Sequence, residues 1–128
     1  MGYIKHSAAI VTNWNIKELE TAHKKAKEIY AAKFEPDVMV RDAGSLVSDI
    51  VHGIANSQSS FFIAPDGSKE GWADSDKSDE ARTEFLDWLL KNENFSDYIE
   101  VRFGGDTDSD TVIRSKDTDL NTLSENSI

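Results

Sequence analysis

Three histidines, a ladder of aspartates and one tryptophan-bearing loop are the stretches of this chain whose residue types can do chemistry. His6, His23 and His52 stand far apart, and none has a partner four residues away suited to holding a metal, so a zinc site is not expected. The stretch "GDTDSDT" sets Asp106, Asp108 and Asp110 at alternate positions, as a calcium loop would. Such a loop needs glycine at its sixth position and a bidentate glutamate at its twelfth, and counting from Asp106 those positions hold Thr111 and Asp117. A polar hairpin turn fits the stretch better. There is no Gly-x-Ser-x-Gly elbow, no Walker-type loop and no Gly-x-Gly-x-x-Gly. With no cysteine in the chain, a disulfide framework, a thiolate metal site and a cysteine nucleophile are all ruled out. No metal or cofactor is expected, and no constellation supplies nucleophile, base and oxyanion donor together. The chain is read as a binding protein and not as an enzyme.

The loop is the stronger lead. The apolar run Phe61-Phe62-Ile63-Ala64 stops at Pro65-Asp66-Gly67, and the polar stretch that follows to Lys77 carries Lys69, Glu70, Trp72, Asp74 and Asp76. Its meaning depends on the elements around it. "YIKHSAAIVTNW" reads as a strand whose end, Ala8 to Val11, is apolar on both faces, as in a central strand. Asn15 with Glu18 three residues on resembles a capping box, and Leu19, Ala22, Ala26, Ile29 and Tyr30 follow at helical spacing until Pro36. "SLVSDIV" and "SSFFIAP" read as two strands joined by the hairpin loop "HGIANSQ". Ser75, Asp76 or Ser78 can cap a second helix with Ala81, Phe85, Trp88 and Leu89 as its apolar stripe. "DYIEVRFG" alternates as a strand, and a turn leads into "TVIRS".

This order predicts an α+β fold: a ferredoxin-like split βαβ sandwich with two helices on one face of an antiparallel sheet, plus an extra C-terminal strand. Residues 1–114 make a single domain, and 115–128, "SKDTDLNTLSENSI", lacks a core pattern and is expected to be a mobile, dispensable tail. Phe62 and Trp88 are expected in the core. The first and third strands are expected to be central and parallel, so that the loop around Asn13 to Asn15 and the loop from Pro65 to Lys77 meet beside two helix N-termini. Paired N-termini favour anions, Lys69 adds a cation, and Trp14 and Trp72 offer faces on which a base stacks. The candidate ligand-binding set is Trp14, Asn15, Lys69 and Trp72, with Arg102 and Arg114 on the last strands. The competing reading makes Asp74, Asp76 and Asp79 helix caps and Trp72 a lid on the core.

Charge divides the chain. Residues 1–60 balance 7 basic against 7 acidic side chains, whereas residues 61–128 hold 7 against 17 and so carry the whole net charge of −10. Such acidity repels nucleic-acid backbones, so direct nucleic-acid binding is not expected. An acidic half-surface either serves solubility or imitates DNA towards a basic partner. No run has the length of a membrane span, and the start of the chain is too polar for a signal peptide, so a cytoplasmic protein without membrane contact is expected.

The start "MGYIKH" with "IVT" and a tryptophan, the segment "SFFIAPDGSKEGWADSD" and the later "IEVRFGGD" together resemble a group of small accessory proteins encoded by tailed bacteriophages. The resemblance covers most of residues 1–114. "PDGSKEGW" is its most specific part, and Phe34 to Val47 and the tail after Arg114 match less well. It carries no catalytic residues with it. It implies a setting, the host cytoplasm, where such proteins disarm host defences by binding. Two readings follow: a sponge for a nucleotide-type immune signal, its pockets completed by homo-oligomerisation, or an acidic inhibitor docked on a host defence protein through residues 66–110. A small hydrolase or nucleotide-modifying enzyme is the third.

Overall fold

The strand predicted at the start of the chain forms the centre of the sheet. In a computed structural model, which describes residues 4–34, 46–68, 71–105 and 110–126, β1 (His6–Asn13) is flanked by β3 (Ser59–Ile63) and β4 (Asp97–Phe103). The short β2 (Val51–His52) and β5 (Thr111–Ser115) lie outside them, giving the order β2-β3-β1-β4-β5 with every pair antiparallel. Helices α1 (Ile16–Phe34) and α2 (Ala73–Lys91) pack against each other and on one face of this sheet. The result is a ferredoxin-like α+β sandwich with an added edge strand.

The core lies between that face and the helices. Ala9 and Val11 point into it from β1, paired with Ile63 and Phe61 on β3, and meet Leu19, Ala22, Ala26 and Ile29 of α1 and Ala81, Phe85, Leu86 and Leu89 of α2. The period-2 geometry of a strand decides which aromatic of "SFFI" is buried. Phe61 and Ile63 face the helices, so Phe62 points to the opposite side and is 47% exposed, against its expected place in the core. Trp88 does pack against the core, from a half-buried position.

Local chemistry sets the ends of the elements. The Asn15 side chain accepts the amides of Lys17 and Glu18, so it caps α1 as predicted. Glu18 does not close a capping box. Its carboxylate accepts the Phe95 amide instead (2.9 Å), and Asn13 supplies the oxygen that holds the Asn15 amide. The hairpin from Gly53 to Gln58 turns through Asn56 and Ser57, both at positive φ. The strand predicted over "SLVSDIV" is interrupted: Val47 pairs with Ile63 and Val51 with Ser60, a one-residue slip, while the Ser48 hydroxyl takes the Phe62 amide. The second helix begins at Ala73, with Trp72 at its N-cap and no side-chain cap, ahead of the predicted Ser75, Asp76 or Ser78. Ser78 is buried and serves the core.

Two polar clusters lock the layers together. Arg82 on α2 is fully buried (side chain 2% exposed) and pairs at 2.9 Å with Glu100 of β4 (6% exposed). Its other nitrogens reach Ser78 (3.0 Å) and Asp79. The Tyr30 hydroxyl sits beside this group on the Ser78 carbonyl, and burial raises its pKa. The second cluster involves the segment expected to be a mobile tail, which carries regular structure here. Residues Lys116–Asn126 form a helix, α3, whose Asp119 accepts from Arg114 (2.7 and 3.1 Å) and from the Tyr98 hydroxyl. Burial, then the Asp119 carboxylate, push the Tyr98 pKa far above its ordinary value. Lys116 reaches back to the Phe95 carbonyl. The segment has few apolar groups, and ion pairing rather than apolar burial docks its first turn.

Removing one member of a buried ion pair strands the other, so Glu100→Ala should cost about 3–5 kcal/mol, whereas replacing both, Arg82→Met with Glu100→Leu, should cost far less. Denaturant midpoints of the single and double variants measure this. Asp119→Ala, and deletion from Lys116 onward, should each cost roughly 1–3 kcal/mol, since charged hydrogen bonds to part-buried Arg114 are lost. A melt unchanged by both would return residues 116–126 to the status of a dispensable tail.

Candidate functional site

The pairing of β1 with β3 decides where the predicted site residues go. Asn13 lies opposite Ser59, at the start of β3, so the C-terminal ends of these strands lie at opposite ends of the sheet and not side by side. The expectation of parallel strands is corrected: a strand inserted between β1 and β2 in this topology runs against both. The helices follow suit. The N-terminus of α1 meets the segment just after α2, where Asn94 donates to the Glu18 carbonyl, and the N-terminus of α2 meets the end of α1, where Lys77 lies over the Phe34 ring. The N-termini of α1 and α2 therefore do not converge.

The candidate residues are therefore dispersed. Trp14 (62% exposed) and Asn15 stand at one end, and the Asn15 oxygen is already engaged by its own helix amides. Trp72 (54% exposed) stands at the other, separated by the 19 residues of α2, about 28 Å of helix. Arg102 shares the Trp72 end of the sheet, opposite Ser7 and donating to its hydroxyl at 3.4 Å. Arg114 sits on the edge strand β5, opposite Glu100, and is held by Asp87 (3.1 Å) and Asp119. Lys69 lies outside the described residues, as do Glu70, Asp106 and Asp108. Asp110 accepts the Gly104 amide, a turn role.

The histidines have separate structural partners. His23 meets the Ser48 carbonyl (2.9 Å) and the edge of the Phe61 ring, His52 meets the Ser59 hydroxyl, and His6 lies against Phe103. Among the described residues no group of histidines and carboxylates is placed to hold a metal ion.

What the fold does assemble is a groove of about 580 Å³ along the outer seam of α1 and α2. Ile29 and the half-buried Trp88 line it together with Asp79, Glu80, Glu84 and Asp87 and with Lys25 and Lys91. Trp88 continues into a second hollow of about 410 Å³ beside Asn15, Thr21 and Asn94. The groove carries two more carboxylates than lysines. Lys33 bridges Glu80 at 3.5 Å across solvent, a pair worth little. Carboxylates flanking an indole face accept lysine and arginine ammonium and guanidinium groups, and the indole packs their aliphatic stems. The sequence did carry a signal for it: Glu80, Glu84, Asp87 and Lys91 recur at helical spacing opposite the buried Ser78, Arg82, Phe85 and Leu89. Read alone, that stripe is an ordinary solvated face, because only packing against α1 turns it into a groove wall.

Scans against protein-family models, curated proteins and solved structures returned no match to this chain. No helix of the described residues is long and apolar enough to cross a membrane.

More than half exposed, Trp14 and Trp72 should each tolerate alanine with a loss below about 1 kcal/mol. Trp88→Ala should cost more, on the order of 2–4 kcal/mol, because its ring packs on the core. Thermal melts of the three variants compare them directly, and a large loss from Trp72→Ala would make that residue a core lid.

Proposed function

We propose that this chain works by binding and that the acidic outer face of α2 docks on a basic surface of a partner protein. The observation that supports this is the groove over Trp88, walled by Asp79, Glu80, Glu84 and Asp87. Two of those carboxylates are already paired, Asp79 with Arg82 and Asp87 with Arg114, so Glu80 and Glu84 are the ones left to meet a partner. Like-charged surfaces are turned away and basic ones steered in. The resemblance to small phage accessory proteins supports a host or defence protein as that partner, met in the host cytoplasm. The protein acts as an inhibitor by occupying the surface it covers.

A second reading, capture of a nucleotide-type signal, keeps one support: Trp72 and Arg102 share an end of the sheet with the loop after β3. The two separate in one experiment. Tagged protein and its Glu80→Lys/Glu84→Lys variant are incubated with lysate of defence-carrying cells, and the bound material is analysed for protein and, after denaturation, for small molecules. Wild type should retain a basic protein that elutes with salt. The variant should bind it at least about tenfold more weakly, a loss of about 1.4 kcal/mol, and should fail to protect phage in those cells. Equal retention by the variant, or release of a nucleotide from wild type, would overturn the protein-docking reading.

A further inference from the structure

Among the described residues, the face of the sheet opposite α1 and α2 carries no helix and is unusually apolar. In an antiparallel sheet with one solvated side, the apolar phase of each strand faces the core and the polar phase faces water. β4 does the reverse. Its polar set, Tyr98, Glu100 and Arg102, shares a side with Ala9 and Val11, while Ile99, Val101 and Phe103 point to the side with no helices. Neighbouring strands repeat the choice in register. Ile10 stands directly between Phe62 and Ile99, and Val101 lies between Ala8 and Val112. Ile10 is 48% exposed, and Phe62 and Val112 remain open to a similar degree.

We infer that this face pairs with the same face of a second copy of the chain. Charge selects that occupant. A chain of net charge −10 repels its own copy, so self-association requires a surface free of carboxylates. Among the described strand residues only Asp97 brings a carboxylate to this side, at the rim, where Lys116 lies 3.5 Å away. The Thr12 and Ser60 hydroxyls on this face bond each other at 2.7 Å, which lowers the penalty of burying them. Its size is adequate. The 27 strand residues, at about 3.3 Å each along strands about 4.8 Å apart, give a projected area on the order of 400 Å², and a surface studded with side chains exceeds its projection, in the direction of the ~800 Å² per partner of a stable interface. Two such sheets stack with their strands about 30° apart. The pairing leaves α1 and α2 outward on both copies, so the dimer presents two acidic grooves. This inference is independent of what those grooves bind.

Light scattering on the full chain during size exclusion tests it. Wild type should show twice the 14.3 kDa chain mass, and Ile10→Lys/Phe62→Lys should show half of that while keeping its helical and sheet circular dichroism. Should the charged variant unfold, Ile10→Thr/Phe62→Thr keeps β-branched residues in the strands and should weaken the dimer at least tenfold. A wild type that stays monomeric into the high micromolar range overturns the inference, as does a folded Ile10→Lys/Phe62→Lys variant that remains dimeric. So does a monomer in which those substitutions abolish capture of a host protein, which would assign the face to another chain.

Discussion

A guanidinium inside the core sets the architecture of this protein. Arg82 sits where the apolar stripe of α2 would otherwise carry a leucine, and it is buried because Glu100, Asp79 and Ser78 satisfy its nitrogens. A buried charge has few acceptable positions, whereas a leucine slides between neighbouring ones at little cost. The pair fixes the rotation and height of α2 over β4, and thereby which α2 side chains point out. It also dictates the phase of β4, since Glu100 must face the helices. Ile99, Val101 and Phe103 are turned to the other side as a geometric consequence of a period of two.

Both proposed surfaces follow from that constraint. With Arg82 and Arg114 turned inward or tied to Asp87 and Asp119, the acidic half of the chain shows its carboxylates outward, and the seam between α1 and α2 gathers them around Trp88. On the reverse side the displaced apolar phase of β4 joins Ile10 and Phe62 in a surface nearly without charge. A sheet with helices on one side and uncovered apolar groups on the other differs from a self-contained sandwich. Such an exposed patch is the basis of the pairing proposed above. The acidic groove and the apolar face lie on opposite sides, so one can be occupied without blocking the other.

The end of the chain shows the same economy of means. α3 has little apolar surface to bury, yet Asp119 bridges Arg114 and Tyr98 and anchors its first turn to β4 and β5. Apolar patterning identifies segments that dock by burial and misses one held by a single carboxylate.

Local patterns determined much of the protein. Helical spacing of Leu19, Ala22, Ala26 and Ile29, the Asn15 cap, the hairpin at "HGIANSQ" and the alternation of "DYIEVRF" depend on neighbours within a few residues, and each formed where the sequence placed it. From these the order of elements, and with it the ferredoxin-like sheet, was legible. Direction and phase were not. Whether β1 and β3 run parallel is a property of the whole topology, and it sent Trp14 and Trp72 to opposite ends. Whether Phe61 or Phe62 is buried turns on a one-residue choice of register that two adjacent phenylalanines leave undetermined. Arg82 and Glu100 are 18 residues apart, and each alone reads as a surface charge. Only their meeting in the core makes them structural, because the energy of a buried charge is set by its partner and not by its own residue type.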